Sequence, residues 1–137
     1  MIDAASLLLE LVRTPSPSGE EARAAAVLAE WARAHELDTE VDDTGVRLVV
    51  EGREPGPTLL LASHLDTVPP GDGWSVPPYG GVVSGGRLTA RGAVDAKASV
   101  SAMAAAAAWI RTSGGLAKGR LVVLATFSEE TRDTTMP

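Results

Sequence analysis

The sequence contains no cysteine, and only two histidines, one phenylalanine and one tyrosine occur among its 137 residues. Without cysteine the chain can form neither a disulfide nor a thiolate zinc site, so any metal must bind through His, Asp or Glu. Basic residues are also scarce, since 12 Lys and Arg stand against 18 Asp and Glu, giving a net charge of −6. This balance disfavours nucleic acid and anionic membranes as partners.

Long apolar runs are missing as well. Residues 7–12 are too short and too closely flanked by charge for a signal peptide, and the Ala-rich residues 102–110 are too short to cross a membrane. A cytoplasmic location is therefore expected. Apolar residues still make up 45% and charged residues 22% of the chain, which predicts a folded domain with a real core.

Helical periodicity occurs in three segments. The first covers residues 3–13, with Asp3 as N-cap. The second continues to about residue 35 and opens on a capping-box pattern, with Ser18 as N-cap and Glu21 three positions later. A third, Ala-rich helix opens at Asp95 or Ser99 and ends near residue 112.

Strand patterns alternate with these helices. Residues 38–41 and 46–51 form two strands, residues 54–57 a turn, and residues 81–84 and 87–90 a short hairpin. Two apolar segments have the composition of strands buried on both faces, and they cover residues 58–62 and 120–127. This alternation predicts an α/β layered fold with a partly parallel sheet.

Polar side chains with metal-binding chemistry follow the buried strands. His64 comes directly after the strand at 58–62, and Asp66 lies close enough to fix the tautomer of its imidazole or to orient another partner. Ligands of α/β folds bind beyond the carboxyl ends of the strands. This edge of the sheet is therefore the predicted functional edge.

Three further carboxylates belong to the same pattern. Asp95 follows a glycine-containing turn, and the adjacent Glu129 and Glu130 follow the strand at 120–127. Two neighbouring carboxylates repel each other unless a cation lies between them or one of them acts as a base. Together with His64 and Asp66 they supply one imidazole and four carboxylates, the ligand set of a zinc site with a nearby base.

Each cluster also has a simpler interpretation. His64 could be an ordinary loop histidine, Asp95 only a helix N-cap, and the two glutamates the polar start of a loop. Their joint occurrence at three successive points of one sheet edge favours a metal-dependent hydrolase.

The residues that carry these clusters resemble the acetylornithine deacetylase / succinyl-diaminopimelate desuccinylase / carboxypeptidase G2 family of zinc metallohydrolases. The resemblance rests on three ordered motifs, at residues 63–69, 86–97 and 126–130. It implies a three-layer, zinc-peptidase-like catalytic domain with a mixed, partly parallel sheet flanked by helices. It further implies that residues 1–137 are the N-terminal part of a truncated catalytic domain, whose C-terminal part and lid or dimerisation domain are absent.

The resemblance also implies the roles of the site residues. His64 and Glu130 would each bind one of two zinc ions, with cobalt as a possible substitute, and Asp95 would bridge the two metals. Glu129 would be the general base, and Asp66 would orient His64 or tune the site. The family pattern continues with one more acidic ligand and a late histidine, which these 137 residues lack.

The function implied is that of an N-acetyl-amino-acid deacetylase of the acetylornithine or acetyl-lysine type, in arginine or lysine biosynthesis. Its substrate would be a small N-acylated amino acid, and the parent enzyme would be a homodimer. Four alternatives stay open: a succinyl-diaminopimelate desuccinylase, a metallocarboxypeptidase or dipeptidase, a non-catalytic remnant, and an active two-chain assembly whose partner chain supplies the remaining ligands.

Overall fold

The computed structural model describes residues 2–131 of the chain. This part of the chain, residues 2–131, forms three α-helices, five β-strands and one distorted helical turn. In chain order they are α1 (Ala4–Arg13), α2 (Ala22–Ala34), β1 (Asp38–Val41), β2 (Gly45–His64), β3 (Val82–Ser84), β4 (Arg87–Thr89), the distorted turn (Ala93–Lys97), α3 (Ala98–Thr112) and β5 (Leu116–Thr126). Within the described residues, none of the helices has the length and apolarity needed to cross a membrane.

The main sheet has β5 at its centre, because β2 pairs with both sides of it. The partners of β5 descend from Thr126 to Arg120 along residues 45–51 and ascend again from Arg120 to Thr126 along residues 58–64. The first half of β2 is therefore antiparallel to β5 and the second half is parallel. With β1 antiparallel to the first half, the sheet is mixed and flanked by helices, as predicted.

The crossing of β2 over the end of β5 depends on glycine. Residues 54–57, predicted to form a turn, belong to β2 and pass close to Gly119. Gly119 has a φ of +73°, and a Cβ there would collide with the carbonyl oxygen of Pro57. A larger residue would thus hold the two strands apart.

A single apolar core joins all three helices to one face of the sheet. Leu7 and Leu11 of α1 are one helical turn apart, and α2 and α3 contribute mainly alanines, which let the helices pack closely. The sheet contributes alternate residues of β2 and β5, namely Val46, Leu48, Val50, Leu121, Val123 and Ala125. The predicted α1 helix with its Asp3 cap is confirmed, since Asp3 Oδ1 accepts a hydrogen bond from the Ala5 amide at 3.0 Å.

The prediction that residues 58–62 are buried on both faces is wrong. Leu59 is 60% exposed and Leu60 is 55% exposed. This half of β2 pairs with β5 on one side, and no other strand within residues 2–131 pairs with its outer side. An apolar composition indicates that a strand can be covered, but it does not state which neighbours cover it.

Candidate metal centre

His64 ends β2 with its imidazole held in one orientation. Its Nδ1 lies 3.0 Å from the backbone oxygen of Asp66, and its side chain is only 11% exposed. A proton on Nδ1, donated to that carbonyl, leaves Nε2 with a free lone pair. The lone pair is directed into the site, because Nε2 lies 3.1 Å from Oδ1 of Asp95 and 3.9 Å from Oε2 of Glu129.

Asp95 reaches this point from the distorted turn before α3. Gly92 starts the turn with a left-handed φ of +77°, and a Cβ there would lie 2.7 Å from the side chain of Thr67. Asp95 itself is extended, with φ −118° and ψ 92°, and its peptide bond to Ala96 is cis. Because α3 begins at Ala98, neither Asp95 nor Ser99 opens the helix, and the N-cap interpretation of Asp95 is wrong.

Two residues, Phe127 and the strained Ser128, separate the end of β5 from Glu129 and Glu130. Ser128 has a φ of +56°, a left-handed conformation that serine rarely adopts. The backbone amides of Glu129 and Glu130 then donate to Oδ1 and Oδ2 of Asp66 at 3.1 Å and 3.0 Å. The two glutamate side chains are thereby brought to the same side of the sheet as His64.

The carboxylate of Asp66 binds this backbone more closely than it binds His64. Its carboxylate is fully buried and also accepts a hydrogen bond from Ser18 Oγ at 2.7 Å, whereas its Oδ1 lies 3.4 Å from His64 Nδ1. Burial alone would raise the pKa of Asp66. The hydrogen bonds from Ser18, Glu130 and Glu129 outweigh burial, so this pKa lies below its ordinary value and the carboxylate stays ionised.

The predicted metal ligands converge on one point. One ligand atom each from His64, Asp95 and Glu130 can be chosen so that all three lie within 4.8 Å of one another. The predicted base, Glu129, borders this group with a side chain that is 58% exposed. A nitrogen and two carboxylates at this separation form a donor set that suits a divalent cation such as zinc.

The electrostatics of His64 agree with a cation in this position. Burial acts to lower the pKa of His64, but its hydrogen bonds to Asp66 and Asp95 and the nearby charges of Asp66 and Glu129 outweigh burial. The pKa is therefore raised, and a proton on Nε2 is stabilised between acceptors. A metal ion at the same place would satisfy the same acceptors, so the residues present fit a metal.

Two residues of the site's support were assigned a different role from sequence. The predicted capping box is wrong, because α2 begins at Ala22 with no side-chain cap. Ser18 donates instead to Asp66, and Glu21 accepts from the backbone amide of Ser128 at 2.8 Å. A capping box and a long-range anchor use the same residue types, so the spacing of Ser18 and Glu21 cannot distinguish them. The Thr-Pro-Ser-Pro segment before Ser18 is the only signal in the sequence that this part of the chain is not helical.

Comparison with known proteins agrees with this architecture. Residues 60–135 match the model of peptidase family M20/M25/M40. A succinyl-diaminopimelate desuccinylase of Methylocella silvestris is 36% identical in an alignment 140 positions long, gaps included, that covers 93% of this chain and 35% of the relative. The chain thus spans about a third of the length of the curated relatives it matches.

Solved structures share the fold. An M20 family metallo-carboxypeptidase of Sulfolobus solfataricus superposes with a TM-score of 0.83 at 24% identity, covering 95% of this chain and 32% of that one. A dinuclear metal-binding M20 peptidase of Bacillus subtilis gives a TM-score of 0.68 at 22% identity, covering 93% and 35%. Because the family model covers more than half of the sequence, the chain belongs to peptidase family M20/M25/M40.

Proposed function

We propose that this chain carries part of the catalytic centre of a metal-dependent amide hydrolase, within the N-terminal part of its catalytic domain. The observation that carries the proposal is the convergence of His64, Asp95 and Glu130 within 4.8 Å, with Glu129 at its border. His64, Asp95 and Glu130 would hold the metal. Two metal ions are proposed by analogy with the dinuclear metal-binding peptidase of Bacillus subtilis. Zinc, with cobalt as a substitute, is proposed because the donors are an imidazole and carboxylates.

When bound, a divalent metal supplies Lewis-acid activation of the amide carbonyl and of water. Glu129 then supplies the proton transfers. Its half-exposed carboxylate takes a proton from the attacking water and delivers it to the nitrogen of the leaving amine. Asp66 keeps Glu129 and Glu130 in place through their backbone amides, and its backbone oxygen keeps Nε2 of His64 available.

The substrate class is a small N-acylated amino acid. An N-succinyl group is favoured over the N-acetyl group expected from sequence, because three relatives that are 33%, 36% and 37% identical are succinyl-diaminopimelate desuccinylases. Hydrolysis of N-succinyl and N-acetyl amino acids under equal conditions distinguishes the two. Faster hydrolysis of the acetyl compound would restore the deacetylase as the better assignment.

The residue roles are tested by a pair of glutamate variants in the protein that carries this sequence. Glu129→Gln removes the base and leaves the ligands, so we expect kcat to fall by at least about 100-fold while cobalt affinity is unchanged. Glu130→Gln should instead weaken cobalt binding in a calorimetric titration. Undiminished turnover by Glu129→Gln would refute the base assignment, and cobalt binding by the wild type without any hydrolysis would support the non-catalytic alternative.

A further inference from the structure

We propose that Glu21 is a positioning residue, which holds the backbone at Ser128 so that Glu129 and Glu130 enter the metal centre. The proposal rests on the proposed function for the role of the two glutamates. It assigns to the start of the chain, 107 positions away from Ser128, a direct part in shaping the site.

The carboxylate of Glu21 is buried and makes no helix cap. Its residue is only 5% exposed, and α2 begins directly after it without a hydrogen bond from its side chain. One oxygen, Oε1, accepts from the amide of Gly19 at 3.0 Å, the amide of Ser128 at 2.8 Å and the hydroxyl of Ser128 at 3.3 Å. A buried acidic side chain is costly unless such donors surround it, so this arrangement is specific.

The residue it binds is the one that needs support. Ser128 adopts a φ of +56°, and a left-handed serine persists only where its surroundings hold it in place. The 2.8 Å hydrogen bond from its amide to the buried side chain of Glu21 provides that hold.

A second anchor lies on the other side of the same turn. The next two amides, those of Glu129 and Glu130, donate to Asp66. Three successive backbone N–H groups are therefore bound by two buried carboxylates. Glu21 adds a hold at Ser128, the residue directly before the two amides that Asp66 binds. The Ser18 hydroxyl links the two anchors, since it donates to Asp66 from the segment that also carries Glu21.

Amide hydrogen exchange and cobalt titration test this role on two variants. In Glu21→Ala we expect the amides of Glu129 and Glu130 to exchange faster than in the wild type, while the amide of Val123 in the centre of β5 keeps its protection. The dissociation constant for cobalt should rise about 10- to 100-fold, the effect typical of residues that orient metal ligands.

The chain offers a matched control and a conservative variant. Glu20 is adjacent and exposed, so Glu20→Ala should leave both exchange and cobalt affinity unchanged. Glu21→Gln keeps an amide oxygen for the Ser128 amide, so its cobalt affinity and its visible cobalt spectrum should lie between those of the wild type and Glu21→Ala. If Glu21→Ala does not fold, Glu21→Gln takes its place in both measurements.

The outcomes separate the two proposals. Equal exchange rates at Glu129 and Glu130 in the wild type and both Glu21 variants would overturn the positioning role, whatever the metal does. Faster exchange in the variants together with no cobalt binding by the wild type would leave the positioning role standing and count against the proposed function. Loss of protection throughout β5 in Glu21→Gln would show a general structural role and overturn the specific one.

Discussion

Lys97 allows a quantitative prediction, because its ammonium group is buried and has no carboxylate partner among residues 2–131. The residue is fully inaccessible, and its Nζ donates to the backbone oxygens of Leu11 and Thr14, both at 2.9 Å. These carbonyls lie at the C-terminal end of α1, where a positive charge is favourable. Burial nevertheless lowers the pKa of Lys97 from 10.5 to about 8.

The lowered pKa makes stability depend on pH in a defined window. Between pH 8 and 10.5 the unfolded chain holds a proton on Lys97 that the folded chain has lost, so the free energy of unfolding rises with pH. Each pH unit contributes about 1.4 kcal/mol, which gives about 3 kcal/mol across the window. Below pH 8 both states carry the proton and the contribution of Lys97 is constant.

Lys97→Met removes this dependence. The free energy of unfolding is measured by urea denaturation, followed by tryptophan fluorescence, at several values from pH 7 to 10.5. Subtracting the value for the variant from that for the wild type cancels the contribution of other titrating groups. The chain has one other lysine, the exposed Lys118, so Lys118→Met is a matched control that should keep the wild-type pH dependence. A constant difference between wild type and Lys97→Met would refute the reasoning and mean that the two carbonyls keep Lys97 charged throughout.

Three further predictions concern the site and the edge of the sheet. Cobalt affinity should fall as pH decreases through the raised pKa of His64, because the imidazole must be neutral to bind a metal. Calorimetry in buffers of different ionisation enthalpy should detect the proton that is released on binding. A cobalt affinity that does not change with pH would contradict this prediction. Ser18→Ala removes the hydroxyl donor to Asp66 and should cost about 1.5–3 kcal/mol of unfolding free energy, while the exposed control Ser84→Ala should match the wild type. We expect the exposed apolar half of β2 to promote self-association, because it is an unpaired sheet edge. Leu60→Lys places a charge there and should reduce light scattering; unchanged scattering would show that this edge is not involved.

The sequence predicts that the metal-binding side chains converge, but it does not predict the hydrogen bonds that hold their backbone in place. His64 and Glu129 could be assigned to one edge because each follows an apolar strand, and parallel strands end at the same edge. The structure has residues 58–64 parallel to β5, so this inference had a sound physical basis. Asp95 lies near His64 and Glu129 because the backbone at Asp95, in the turn before α3, is not helical. In the sequence, only the nearby glycine indicates this, and only weakly.

The roles of Ser18 and Glu21 were not predicted, because their hydrogen bonds join residues that are far apart in the sequence. Ser18 and Glu21 fit a capping box by local spacing, and their actual partners lie 48 and 107 positions away. Local patterns describe which bonds a side chain can make, while tertiary packing decides which it does make. The same limit applies to residues 58–62, whose apolar composition gives no information on whether a neighbouring strand exists.

The double pairing of β5 with β2 has a consequence for folding. Every residue from 120 to 126 is paired on both sides with residues of β2 that lie at least 62 positions earlier in the chain. Such non-local pairing makes folding slow, because long loops must close before any of these bonds form. Glu129 and Glu130 lie three and four positions after the end of β5, so we expect the metal centre to be assembled in the same late step that inserts β5 between the two halves of β2. A ligand of the finished site then stabilises only the complete sheet.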